Sequence, residues 1–170
     1  LPALDVEPYL SFLARALEED RATGDLTTRT LVPEDARAVG DVIAKAPGVL
    51  AGIPLVEPLF RFLDPEARVT ARRRDGTSVA RGDAVLTVEG RARALLSAER
   101  TALDVLAHLS GIATLTRAFV DAVRGTGAAI LETRKTTPGW RALEKYAVRR
   151  GGGANHRMDP ADPALGKGTH

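Results

Sequence analysis

The 170 residues contain no cysteine. That excludes disulfides, thiolate nucleophiles and thiolate metal ligands. Glutamine is also absent, and Asn155 is the sole asparagine. So few amides fit a thermophilic source, although a GC-rich genome accounts equally well for the wealth of arginine and alanine. Aromatic residues make up 4% of the chain, too few for a base-stacking platform. The formal net charge is only +2, so a broad nucleic-acid-binding surface is not expected, even with a pI near 9.3. No apolar run reads as long enough to cross a bilayer, and the N-terminus lacks a basic-then-apolar leader pattern. The expectation is a soluble cytoplasmic protein with neither nucleic-acid nor membrane partners. No His-x-x-x-His, Ser-His-Asp or paired-carboxylate pattern stands out, which disfavours hydrolases built on them.

What is present suits one domain or two small ones. Hydrophobic residues at 44% are enough for a core, and 27% charged residues is ordinary for a globular chain. Asp5 is a candidate cap for a first helix whose buried face is Val6, Tyr9, Leu10, Leu13 and Leu17, ending near Glu18–Asp20. Residues 23–28 read as a polar loop. Residues 36–46 read as a strand, Pro47-Gly48 as a turn, and residues 48–53 as a short apolar strand or bend. Pro54 opens a helix carrying Val56, Leu59, Phe60 and Leu63. Strands are expected at 68–73 and around Val79, Val85, Leu86 and Val88, with turns at Asp75-Gly76 and Gly82-Asp83. This middle region resembles part of a biotinyl or lipoyl carrier domain, but no lysine lies between Lys45 and Lys135 to be modified. Ser97 is the expected N-cap of a helix bearing Leu103, Leu106 and Leu109, with a bend at Gly111 before a second stretch through Leu115, Phe119, Val120 and Val123. Residues 128–131 read as a strand buried on both faces, and residues 141–148 return to helix.

Positive charge clusters in residues 131–158. Arg134 and Lys135 follow the expected strand, with Thr133, Thr136 and Thr137 beside them. The C-terminal ends of parallel strands are where α/β folds bind ligands, and a fork beside a point charge suits a polyanion. A solvated basic loop is the alternative. Gly151-Gly152-Gly153 then precedes His156 and Arg157; such a run either brings backbone N–H groups to a ligand or is a flexible connection. His108, on an apolar helix, reads as structural. Arg100, beside Glu99, reads as a surface ion pair.

The stretch TRKTTPGWRALEKYAVRRGGGANHRM at 133–158 closely resembles the signature of the quinolinate phosphoribosyltransferases. LLSAERTALDVLAHLSGIAT at 95–114, GDLTT at 24–28 and AGIPLVEPLF at 51–60 resemble the same family in the same order. The resemblance runs over residues 4–167. It implies an α/β protein: an α+β N-terminal domain (1–110), then an α/β barrel of the type II phosphoribosyltransferase kind (111–170), truncated in this chain. It implies transfer of a ribosyl 5-phosphate from phosphoribosyl pyrophosphate to quinolinate, with magnesium. The products are nicotinate mononucleotide, pyrophosphate and carbon dioxide. By the same resemblance Thr133, Arg134, Lys135, His156, Arg157 and Lys167 bind substrate, with Lys135 and Lys167 the catalytic lysines. Arg100 reaches the neighbouring subunit's site in a dimer or higher oligomer. The helix at 141–150 is left out of the site, its charges expected to face solvent or a partner subunit.

The last residues depart from the family. Its apolar strand after the Asn-His-Arg motif is replaced at 159–170 by a stretch with Pro160, Pro163, Gly166 and Gly168, and Lys167 is assigned by spacing alone. The family continues through further barrel strands carrying acidic residues and a phosphate-binding loop. A barrel cut after its first strands leaves open edges, so such a piece is not expected to be stable alone. A phosphoribosyltransferase for nicotinate or another heteroaromatic acid is the near alternative; a non-catalytic anion-binding protein is the distant one.

Overall fold

The computed structural model describes residues 3–20, 24 and 26–155. Asp5 accepts the Glu7 N–H at 3.2 Å ahead of a 3-10 turn, Glu7–Tyr9, but it is not the cap: Val6 holds the N-cap position of that turn and Tyr9 that of helix α1, Leu10–Glu19. α1 buries Leu13 and Leu17, as its spacing predicts. Helix α2, Leu26–Leu31, replaces part of the expected polar loop. Its threonines are compatible with helix because Thr30 Oγ1 donates back to the Leu26 carbonyl at 2.7 Å.

Strands β1 (Arg37–Ile43), β3 (Arg68–Ala71) and β5 (Ala84–Arg91) form an antiparallel sheet in the order β1-β5-β3. Arg37 pairs with Arg91, and the register shifts between Val42 and Ile43. On one face Thr87 donates to Asp41 at 2.6 Å and accepts from Arg72 at 3.1 Å. β2 (Gly48–Val49) and β4 (Ser78–Val79) make a separate two-stranded ladder. Pro54 sits in the 3-10 turn Ile53–Leu55 ahead of α3, Val56–Leu63, whose Val56, Leu59 and Phe60 are buried.

Helix α4, Ala92–Ala122, is one continuous rod of 31 residues, about 46 Å long. The expected N-cap at Ser97 is wrong, since the helix starts five residues before it, and the second helical stretch expected after Gly111 is part of the same helix. Glycine costs a helix only about 1 kcal/mol relative to alanine. Burial of Leu106 and Leu109 on one side of Gly111, and of Ala113 and Thr116 on the other, outweighs that cost. Ser110 and Thr114, one turn apart, accept the Ala51 and Val49 N–H groups at 3.1 and 2.8 Å, tying α4 to the β2 segment. By length and composition α4 is also apolar enough to cross a membrane, contrary to the expectation that no run would be. Here it packs on the sheet, on α3 and on the helix at 141–150.

Residues 128–131 are not a strand buried on both faces. Ala128, Ala129 and Leu131 are exposed. The segment makes a single parallel bridge, Leu131 with Ala154, and Ala154 N–H donates to the Ile130 carbonyl at 2.9 Å. Between the bridged residues runs helix α5, Arg141–Arg150. A parallel pair joined through a helix is the repeating unit of α/β construction. The core is continuous from Leu13, Leu55, Leu59 and Leu86 through Leu109 to Leu143, Tyr146 and Ala147 of α5.

Candidate anion site on the segment before helix α5

Residues 132–137 carry the first cationic cluster, and α5 holds them from behind. A turn begins the helix: Trp140 N–H donates to the Thr137 carbonyl at 3.0 Å, and Gly139 has φ of 82°. Proline at the second place and a positive-φ glycine at the third define a type II turn. From the first two turns of α5, three side chains reach back. Arg141 Nε donates to Thr136 Oγ1 at 3.1 Å. Glu144 Oε2 accepts the Thr137 N–H at 3.1 Å. Lys145 Nζ donates to Glu132 Oε1.

Within this frame Lys135 N–H donates to Thr133 Oγ1 at 3.2 Å, so the threonine shapes the local turn. Arg134 and Lys135 are thus presented on a short clamped segment, next to the parallel bridge. Among the described residues, Arg134 Nε lies buried with no hydrogen-bond partner. A buried guanidinium N–H in that condition is a donor suited to an anionic ligand.

The expectation that the charges of α5 face solvent fails at Lys145. Its side chain is 1% exposed, the largest fully buried side chain among the described residues. Glu144 is tied down as well. Burial pushes its carboxyl up, but hydrogen bonds from Thr137 and His108 outweigh this and leave it below the usual carboxylate range. Little in the sequence marks Lys145 apart from its being one of only four lysines, with Lys45, Lys135 and Lys167, in an arginine-rich chain.

The glycine run serves packing rather than a nest for a ligand. Gly152, at φ of 96°, ends α5 in the left-handed region, with Gly152 N–H donating to Arg149 O and Gly153 N–H to Val148 O, both at 3.0 Å. This is a Schellman ending, so these N–H groups point back at the helix. Gly151 and Gly153 also let α5 close on α4: a Cβ at either would lie within 2.9 Å of a Thr116 side-chain carbon. Arg117 Nε completes the junction on the Gly151 carbonyl at 2.8 Å.

Arg100 lies in the third turn of α4 rather than the first. It forms an exposed pair with Asp104 at 3.6 Å, not with Glu99. With Arg15, Thr101, His108, Thr137 and Trp140 it lines a cleft of about 820 Å³. His108 Nε2 is 3.0 Å from Glu144 Oε1, and its ring meets Trp140 edge-on at 4.8 Å. A more apolar groove of about 510 Å³ between β1 and α4 is lined by none of the residues assigned from the sequence. His156, Arg157 and Lys167 lie outside the described residues.

Residues 25–110 match the family model for the quinolinate phosphoribosyl transferase N-terminal domain, and residues 112–170 match the model for its C-terminal domain. Nicotinate-nucleotide pyrophosphorylase [carboxylating] of Mycobacterium leprae is 48% identical over 161 residues, covering 93% of this chain and 57% of the relative. The chloroplastic protein of that name from Arabidopsis thaliana is 42% identical over 170 residues, covering 99% and 47%. The crystal structure of NadC from Streptococcus pyogenes superposes with a TM-score of 0.91 at 39% identity, covering 95% of this chain and 57% of that one. The chain spans about half the length of the curated relatives it matches. From two consecutive domain matches and a shared fold, the chain belongs to the quinolinate phosphoribosyltransferase family.

Proposed function

We propose that the protein takes part in phosphoribosyl transfer to quinolinate with decarboxylation, giving nicotinate mononucleotide, pyrophosphate and carbon dioxide. The observation that carries this reading is the clamped Thr133-Arg134-Lys135 segment with its buried Arg134 Nε. Quinolinate has two carboxylates, and phosphoribosyl pyrophosphate has a phosphate and a pyrophosphate. A site for both needs several cations. Arg134 and Arg157 supply forks for carboxylates, and Lys135 and Lys167 supply point charges for carboxylate or phosphate oxygens. His156 and the Thr133 hydroxyl add hydrogen-bonding groups.

The pyridine nitrogen forms the bond to the ribosyl carbon as the bond to pyrophosphate breaks. Positive charge develops on the sugar, so the protein's cations belong on the departing pyrophosphate. The glycosylated ring is cationic and accepts the electron pair released when the 2-carboxylate leaves as carbon dioxide; a proton then fills the vacated carbon. Positioning and electrostatics carry the rate, and no covalent nucleophile is needed.

Magnesium is proposed as the companion of the pyrophosphate. Among the described residues no group of three or more His, Asp or Glu side chains is placed to hold a metal ion. The described residues therefore do not form a metal cage. We further propose a dimer in which Arg100, whose side chain is 67% exposed, reaches the partner's site. The compartment proposed is the cytoplasm, to be checked by fractionation, since plant relatives bear chloroplastic and mitochondrial names.

The test is calorimetry with quinolinate, then turnover with phosphoribosyl pyrophosphate and magnesium, using the longest form of the protein its gene encodes. Quinolinate-dependent carbon dioxide release is expected. Arg134→Lys, which keeps the charge and loses the fork, should weaken quinolinate about tenfold or more. No carbon dioxide release, or equal turnover of nicotinate, overturns the assignment.

A further inference from the structure

We infer that helix α5 is the template that sets the geometry of the anion site, and that Lys145 is its principal positioning residue through the buried pair with Glu132. This rests on the site reading given above. Arg134 and Lys135 are bracketed on both sides by contacts from one helix. Lys145 holds Glu132 just before them, while Arg141 and Glu144 hold Thr136 and Thr137 just after. The helix itself is fixed at its far end, where Tyr146 donates to Asp75, Arg150 lies 4.6 Å over the Tyr146 ring, and the Schellman ending closes on α4. Three residues, 133–135, therefore hang between two anchors on a rigid element.

A buried lysine–carboxylate pair is a poor device for stability, because desolvating both charges offsets most of their attraction. The Glu132 side chain is 10% exposed and that of Lys145 only 1%. Hydrophobic residues could fill the same volume without that desolvation. What apolar packing cannot do is define one direction. A charged hydrogen bond fixes where Glu132 points. The turn that Thr133 Oγ1 makes with the Lys135 N–H starts at the next residue, so the orientation of Glu132 sets where that turn, with Arg134 inside it, begins. In this proposal Lys145 acts through Glu132 on the cations that meet the substrate.

The experiment uses the longest form of the protein its gene encodes, with quinolinate as the probe. Two variants are compared with wild type: Lys145→Met, and the double variant Lys145→Met with Glu132→Leu. Amide exchange is followed peptide by peptide without ligand, and quinolinate affinity by calorimetry. In Lys145→Met, exchange across residues 133–137 should rise while α4 and the sheet stay protected, and affinity should fall about tenfold or more. In the double variant the buried carboxylate is gone as well and thermal stability recovers, but quinolinate binding stays impaired. Recovery of affinity together with stability in the double variant would show a merely structural pair and overturn the proposal. Unchanged exchange at 133–137 in both variants would do the same. If wild type does not bind quinolinate, the substrate reading falls, and the exchange at 133–137 still decides whether α5 sets the segment.

Discussion

The Tyr146 hydroxyl donates to the Asp75 carboxylate at 2.5 Å across 71 residues of sequence. The same carboxylate accepts the Gly52 N–H at 2.8 Å and the Ile53 N–H at 3.1 Å, so one aspartate starts a 3-10 turn and anchors α5. Burial, then the hydrogen bond to Asp75 and its charge, push the Tyr146 hydroxyl far above the usual phenol range, which keeps it a donor at any physiological pH. Tyr146→Phe removes one bond to a charged acceptor and should cost about 1.5–3 kcal/mol. Asp75→Ala leaves two backbone donors without their acceptor and should cost more. Urea unfolding checks the order; a Phe variant less stable than the Ala variant would contradict it.

A fully buried carboxylate predicts how the protein responds to acid. Asp64 is 0% exposed and accepts the Arg91 and Glu66 N–H groups at 2.8 and 3.2 Å, with Arg91 Nε at 3.4 Å. Burial raises its pKa, but these bonds and the Arg91 and Arg37 charges outweigh that and hold the carboxyl below the usual range. A depressed folded-state pKa means stability that is full above the unfolded pKa of about 3.9 and is lost as pH falls through the folded value. Asp64→Asn should therefore lose about 2–3 kcal/mol at neutral pH and show a flatter stability profile below pH 4. Parallel acid limbs for wild type and variant would remove Asp64 from the account.

Two glycines predict opposite signs. A Cβ at Gly151 would sit 2.6 Å from Thr116 Cβ and closer still to the Ala113 carbonyl, on the backbone of α4. Gly151→Ala should force the two helices apart and cost about 3 kcal/mol. A Cβ at Gly111 meets nothing within 4 Å. Gly111→Ala, in a helix interior, should stabilise by about 0.5–1 kcal/mol. Thermal melts of the two variants should move in opposite directions.

These contrasts show where the sequence was readable. The buried faces of α1 and α3 follow from local period, and both are present. α4 was misread as two helices because Ser97 and Gly111 carry local signals for ends. Its continuity comes from burial against elements distant in sequence, at Leu106, Leu109, Ala113 and Thr116. Lys145 was misread for a related reason. A charge beside Arg141, Arg149 and Arg150 suggests a solvated face, and its partner Glu132 lies across a turn that local pattern does not resolve. At the site, Thr133, Arg134 and Lys135 could be singled out by charge and resemblance. The helix that holds them could not, since holding is a property of contacts.

The proposed sharing of sites between subunits predicts complementation. If Arg100 of one subunit serves the site containing Lys135 of the other, Arg100→Ala and Lys135→Ala each disable every site in their own dimers. Mixed dimers differ, because one of their two sites takes Arg100 from the Lys135→Ala subunit and Lys135 from the Arg100→Ala subunit. Random re-pairing of an equal mixture makes half the dimers mixed, each with one intact site. Turnover should therefore return to roughly a quarter of wild type, in a closed two-fold assembly where the same surfaces meet twice. The exposed Arg100–Asp104 pair does not oppose this, since an exposed pair of this kind contributes about 0.3–0.5 kcal/mol and is easily exchanged for a substrate carboxylate. Mixing is done after partial denaturation and refolding, with quinolinate-dependent carbon dioxide release as the readout. Activity that stays at the level of the separate variants would place Arg100 and Lys135 in the same subunit's site, or Arg100 in none.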